Sequence, residues 1–431
     1  MANWTDHLEN WISLRRDVLV LSGALFLFHM ASQMTMRFVA EYLTVLGATS
    51  LVVGLYGTTK NILSAVYPYP GGILSDTIGT RRMLVAVGLL TVVGYGLWTL
   101  APLLGSFSVM GIVFPAWGWI FVGLFLVMGW KGLGLSATFA LVKDSVSGHR
   151  LARGFASTEM FSRLGYLLGP LVTTVVLSWY AEFLSGFQLL LALTILLCLG
   201  ATIAQWIGYR ESDLPDRDQT EDTWTLANLI AELRTLPAEL KPLILSDIFV
   251  RFGNSMVYVF FVVVITRYHE IGWTIFGWTL PPASFFGLLL GIEMGVSLLM
   301  MVPFANLGDH FGQKPVVIGG FCVYATFPVL VIYAPPDPRV MVGLFAFSGL
   351  RFAAKPAHKA LIVGPSRDHH GGTTSGIYYM VRNIVRMPAP AIGGMLYGIS
   401  PVLSFTAATV VGTIGVVIFI LAGYRYEPST S

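Results

Sequence analysis

Three basic residues, Arg351, Lys355 and Lys359, recur every fourth position in the apolar stretch SGLRFAAKPAHKALIV (348–363). On a helix this spacing puts them on one face. A cation near the centre of a bilayer costs roughly 2.5–3.5 kcal/mol on insertion scales, so it needs water, a counter-charge or a ligand. Lys131 raises the same question, and Arg382 and Arg386 place like charges one helical turn apart. Guanidinium forks and ammonium groups in a dry setting suit a carboxylate or a phosphate. Lys131, Arg351, Arg382 and Arg386 are therefore the expected anion contacts. His29 and Gln33, which share a face, and Asn254 are the expected orienting groups, with Asn61 as a further polar neighbour. Tyr378 and Tyr379 can stack on an organic moiety or simply pack. Glu293 and Glu159 are candidate carriers of a coupling proton, because burial favours the neutral form of a carboxyl group. Arg37/Glu41, Glu159/Arg163 and Asp247/Arg251 are i,i+4 pairs able to neutralise each other within one helix.

The elements that position these residues follow from composition. Of 431 residues, 55% are hydrophobic and only 11% charged, against about 25% charged in a soluble domain. The chain is read as all-α and membrane-embedded. Runs long enough to cross a bilayer, about 20 apolar residues each, occur near 18–40, 50–70, 83–104, 116–142, 154–179, 186–208, 243–267, 283–304, 316–334, 340–363, 373–398 and 401–423. These are spans one to twelve. An even count puts both ends on one side. Fifteen loop cations then fall on the side of the termini and only Arg267 and Arg339 on the other, so both termini are expected in the cytoplasm and the host membrane is the inner one.

The expected organisation is an interfacial helix over 1–17, six spans over 18–209, a linker over 210–241, six spans over 242–424 and a tail over 425–431. Leu226, Leu229, Ile230 and Leu233 give the linker an amphipathic helix. No cleavable signal peptide is evident. Cys198 and Cys322 lie in apolar runs and read as packing residues, with neither disulfide framework nor metal spacing.

The two halves repeat. GGILSDTIGTRR (71–82) follows span two and FANLGDHFGQKP (304–315) follows span eight, with Asp76 and Gly79 recurring as Asp309 and Gly312. Lys131 in span four matches Arg351 in span ten. Parallel six-helix repeats mark transporters. Here the chain resembles the major facilitator superfamily, whose loop pattern G-x-L-a-D-r-x-G-r-[RK] is similar to Gly72 through Arg82. The second copy has Ala305 in place of the first glycine. The resemblance implies two pseudo-symmetric six-helix bundles and a gating role for Asp76, Gly79, Arg81, Arg82, Asp309 and Lys314. It also implies that spans three, six, nine and twelve are peripheral, and these four carry no charge in their middles. All nine span cations (Arg37, Lys60, Lys131, Arg163, Arg251, Arg351, Lys355, Arg382 and Arg386) lie on other spans. Gly165-Tyr-Leu-Leu-Gly169-Pro170 in span five partly resembles the G-x-x-x-G-P motif of proton-coupled exporters, although small residues also serve helix packing.

The function expected is secondary transport of a small organic anion, carboxylated or phosphorylated, by alternating access. The coupling ion would be H+, with no other cofactor and no metal. The partners expected are the solute and membrane lipids, not nucleic acid, and the chain is expected to be a monomer. Neutralising Arg351 is expected to abolish transport and leave a folded protein. A proton-coupled exporter of drugs or amphiphiles is the alternative, and a non-transporting sensor or scaffold a second one. Enzyme activity is not expected: H-E-x-x-H, a Walker loop and G-x-S-x-G are all missing from the sequence.

Overall fold

The computed structural model describes residues 16–109, 112–134, 151–208, 240–363 and 371–422. Residues 1–15 of the interfacial helix expected over 1–17, the amphipathic helix of the linker and the tail expected over 425–431 lie outside the described residues, while Arg16 and Asp17 begin the helix of span one. Helix occurs at all twelve expected positions. Seven helices are long and apolar enough to span a bilayer alone. Two further spans are bent pairs. Span one breaks between Leu19–Thr35 and Val39–Val45, at 41°, and span seven between Leu240–Val257 and Phe261–Tyr268, at 47°. Span seven ends in a π-helical turn, Val264–Tyr268.

The remaining spans are shorter or interrupted. Span two is Ser50–Val66 followed by Pro68–Ile78, span four contains Gly118–Gly132, and span eleven is Gly371–Arg386 followed by Ala389–Ile399. Prolines stand at or just inside the breaks in spans two and eleven. A proline lacks the N–H that would continue the helix and biases the residue before it away from helical backbone. Span ten passes as one length, Pro338–Ile362, with a one-residue interruption at Ala354 between Pro338–Ala353 and Lys355–Val363, shortly before Pro356. The three-cation stripe has no uniform setting: Arg351 is buried, whereas Lys355 and Lys359 are exposed.

By contact the chain forms two compact units, Met1–Gly47 with Leu63–Asp216 and Ala48–Ile62 with Arg217–Ser431. Within the first, span one lies along span five, and span three packs on spans four and six. A Cβ built at Gly165 would stand 2.8 Å from the Phe26 carbonyl oxygen, and one at Gly169 2.7 Å from that of Met30. These glycines of the G-x-x-x-G-P stretch thus seat span five on the backbone of span one. Thr173 Oγ1 adds a bond to the Met34 carbonyl at 3.0 Å. In the core, Trp98 Nε1 donates to the Ile120 carbonyl (2.9 Å) and Tyr42 donates to the Trp98 carbonyl (2.6 Å).

The second unit is built on spans seven, nine and twelve, with Leu243, Val250, Phe321, Tyr324, Val416 and Phe419 at its centre. Ser246 Oγ donates to the Gly415 carbonyl at 2.6 Å. Residues 48–62, expected with the first bundle, pack here against span eleven. Thr58 Oγ1 accepts from the Ala391 N–H at 3.1 Å, and a Cβ at Gly54 would lie 2.4 Å from the Pro390 oxygen.

Two short hairpins join spans: β1 (Phe107–Val109) with β2 (Ile112–Phe114), and β3 (Trp273–Ile275) with β4 (Trp278–Leu280). Trp273 and Trp278 are strand residues of the second hairpin.

The repeat reaches the backbone. Gly79 joins two helices at φ 91, ψ 145, and Gly312 does the same at φ 86, ψ 157. This left-handed geometry is open to glycine at little cost.

Candidate functional site

Span seven carries the charged centre of the second unit. Asp247 faces inward, fully buried, one helical turn before Arg251. Arg251 Nε donates to Asp247 Oδ1 at 3.0 Å, so this i,i+4 pair forms as its spacing predicts. Three more groups converge on the other carboxylate oxygen, Oδ2. Arg382 Nη1 donates at 3.2 Å, the Tyr378 hydroxyl at 3.2 Å, and His358 Nε2 stands 3.5 Å away. Spans seven, ten and eleven are thus tied together through one carboxylate. The Arg382 guanidinium lies over the Tyr379 ring at 4.7 Å. Neither tyrosine is free to stack on a solute: Tyr378 is sealed beside Asp247 and Tyr379 already carries a cation.

A second cluster forms around Arg351. Its Nη2 donates to Glu293 Oε1 on span eight at 2.7 Å, and its Nη1 to Asn254 Oδ1 on span seven at 2.9 Å. Ser348 Oγ donates to the same Glu293 oxygen. Arg351 and Glu293 are 2% and 1% exposed, so the pair is withdrawn from solvent. The guanidinium sits 5.0, 4.9 and 4.7 Å from the rings of Tyr324, Phe327 and Phe352. Tyr324 also receives Arg251, at 4.3 Å, so a residue of span nine stands between the two clusters.

Of the expected substrate contacts in this unit, Arg351 and Asn254 come together with the expected proton carrier Glu293, but as one another's partners. Arg382 is likewise held by Asp247. Arg386 differs. Its Nε is buried without a hydrogen-bond partner among the described residues, and no carboxylate there pairs with it.

In the first unit His29 and Lys131 border one cavity, formed with Phe28, Ser32, Met36, Thr91, Tyr95, Val127, Trp130 and Cys198. Lys131 is exposed and has no ion pair among the described residues. Gln33 instead lies against Gly169 of span five. The Glu159 and Asp76 side chains lie outside the described residues.

The expected gating residues occupy helix junctions. Arg81 Nη2 donates to the Trp206 carbonyl at the end of span six (2.5 Å), and Arg82 is exposed. Asp309 accepts from Gln313 Nε2 at 3.4 Å, and Lys314 is half-buried at the start of span nine.

Sequence reasoning missed His358, Ser348 and Tyr324, and it treated Asp247 as the partner of Arg251 alone. His358 lies seven residues after Arg351 and Tyr378 four before Arg382. Those spacings show shared helix faces, but only tertiary packing shows that the faces meet at Asp247.

Comparison with known proteins agrees with this architecture. The Major Facilitator Superfamily profile matches residues 21–292 and 243–431. An uncharacterized MFS-type transporter of Methanocaldococcus jannaschii is 26% identical over 408 residues, covering 94% of each chain. The nucleoside transporter NupG has a TM-score of 0.72 at 11% identity, covering 95% of this chain and 100% of its own. A POT family transporter in complex with 5-aminolevulinic acid has a TM-score of 0.69 at 15% identity, covering 94% and 95%. A peptide transporter POT in complex with sulfate gives 0.69 at 16% identity, covering 94% and 93%. At these identities the solved structures speak for the fold, and the profile for descent. With apolar spans, a repeated helix junction and buried charge clusters, the chain belongs to the Major Facilitator Superfamily and is a multi-pass membrane transporter of that kind.

Proposed function

We propose that this transporter carries a small organic anion, recognised in its second unit through the guanidinium groups of span eleven, with H+ as the coupling ion carried on Glu293. One observation carries the reading. Among the described span residues of that unit, Arg251, Arg351, Arg382 and Arg386 face only two carboxylates, Asp247 and Glu293. Arg386 is left beside Arg382 without a counter-charge. Two like charges one turn apart are unfavourable alone and become favourable when an anion bridges them. A solute carboxylate or phosphate drawn to Arg382 competes with Asp247, and one near Arg351 loosens its hold on Glu293. The shared Arg351 guanidinium thereby links the solute to the carboxylate that carries the proton. Fold neighbours have been solved with sulfate and with 5-aminolevulinic acid, ligands that bear acidic groups.

The test is uptake into proteoliposomes across a panel of carboxylates, sugar phosphates and lipophilic cations. Arg386→Gln is expected to raise KM for the transported anion by about tenfold or more, the worth of one charge-assisted contact, while the purified variant keeps its unfolding midpoint. Unchanged kinetics in Arg386→Gln, or competition by lipophilic cations and not by anions, overturns the reading.

A further inference from the structure

We propose that the first unit contains a separate site for one small monovalent anion of halide size, held by Lys131 in the cavity between spans one, three, four and six. It goes beyond the solute reading, which rests on other residues of the other unit.

The cavity measures about 20 Å3. A void needs roughly 10–15 Å3 on this measure to hold a single water, so the pocket itself has space for one monatomic ion. Its wall offers positive charge and donors with no carboxylate. Lys131 brings an ammonium group from span four. His29 and Ser32, on one face of span one, have side-chain polar groups without a hydrogen-bond partner among the described residues. The indole N–H of Trp130, in the same wall, is buried without an acceptor there. The rest of the wall is mostly soft and apolar, with Phe28, stacked on Trp130 at 4.0 Å, Met36, Val127 and Cys198; Tyr95 and Thr91 complete it, the Thr91 hydroxyl donating to the Val87 carbonyl.

Lys131 is open to solvent on one side, so ions from solution reach it, and the cavity wall beside it offers donors but no negative charge. A counter-charge cannot come from the lining, because no lining residue is acidic. An anion that sheds its water easily and takes two or three donors satisfies both constraints. Bound there, it neutralises Lys131 and joins spans one and four through His29, Ser32 and Lys131. Its occupancy would therefore stabilise the first unit as well as fill the site.

The experiment uses the full-length purified protein in detergent. Thermal unfolding is followed at constant ionic strength while sodium gluconate is replaced by sodium chloride, bromide or acetate. Chloride and bromide are expected to raise the midpoint saturably, and gluconate is not. In Lys131→Gln the half-saturating chloride concentration is expected to rise about tenfold or more, in keeping with loss of a charged partner. Because that variant can misfold, Ser32→Ala serves as the milder one and is expected to weaken chloride several-fold. In crystals grown with bromide, an anomalous peak beside Lys131 Nζ is expected. Identical midpoints in chloride and gluconate, or a chloride response that survives Lys131→Gln, overturns the proposal. A response to acetate with none to chloride also overturns it, in favour of a carboxylate head group. Loss of organic-anion uptake in Arg386→Gln with an intact chloride response would separate the two sites.

Discussion

Arg351 is where the residue types and the geometry pull in different directions. Its position in an apolar span suggests a cation waiting for a solute, yet Glu293, Asn254 and three aromatic rings already enclose it. Removing one member of such a pair leaves a charge buried alone, which costs roughly 3–5 kcal/mol. Arg351→Ala is therefore expected to lower stability markedly, contrary to the expectation from sequence that neutralisation leaves the fold untouched. Glu293→Gln combined with Arg351→Met is expected to recover much of the loss, because neither charge then lacks a partner. Chemical unfolding of the two single variants and the double variant in detergent measures the coupling, and additive losses would show that the pair contributes nothing jointly. Asp247 is a harder case, since Arg251 and Arg382 both depend on it. Asp247→Asn is expected to cost at least as much as Arg351→Ala in the same assay.

At the level of the helices, close approach and special backbone matter more than charge. A Cβ at Gly393 would stand 1.9 Å from the Met256 oxygen of span seven, closer than any relaxation short of moving a helix permits. Gly96 on span three has nothing within 4 Å. Gly393→Ala is expected to abolish a well-packed second unit, and Gly96→Ala to leave the unfolding midpoint within a degree or so, as most uncrowded surface changes do. At Gly79 and Gly312 the constraint is conformational: forcing an L-residue to positive φ costs of order 1–3 kcal/mol. Gly79→Ala and Gly312→Ala are expected to lose similar amounts of stability, since the two junctions have nearly the same φ and ψ. A large difference between them, read from detergent unfolding curves, would show that only one copy of the motif still bears on the fold. The glycines of span five already have a packing explanation in span one, so their likeness to an exporter motif adds little weight to the exporter alternative.

For the molecule as a whole, the distribution of lysine and arginine makes a claim about orientation. From fifteen loop cations on one side against two on the other we propose, under the positive-inside rule, that both termini face the cytoplasm. Single-cysteine variants near each end, made after replacing Cys198 and Cys322, are expected to react with a membrane-impermeant maleimide only in inverted vesicles. Labelling of one end from each side would mean an odd number of crossings and would break the twelve-span reading.

The sequence by itself determined that the chain lives in a bilayer, roughly where its helical spans lie, and that its halves repeat. These properties are local: apolar length, loop charge and glycine-punctuated turns act within one helix or between neighbours in the chain. It also determined the Asp247–Arg251 pair, whose partners lie one turn apart on the same helix. Only the tertiary structure decided which cations have partners. Glu293 reaches Arg351 across 58 residues, and Asp247 reaches Arg382 across 135. A side chain several helices away in sequence leaves no periodic trace, so Arg351, Arg382, Arg386 and Lys131 look equally unpartnered when read as letters. Packing separates them: the first two each meet a carboxylate, and Arg386 and Lys131 form no ion pair among the described residues.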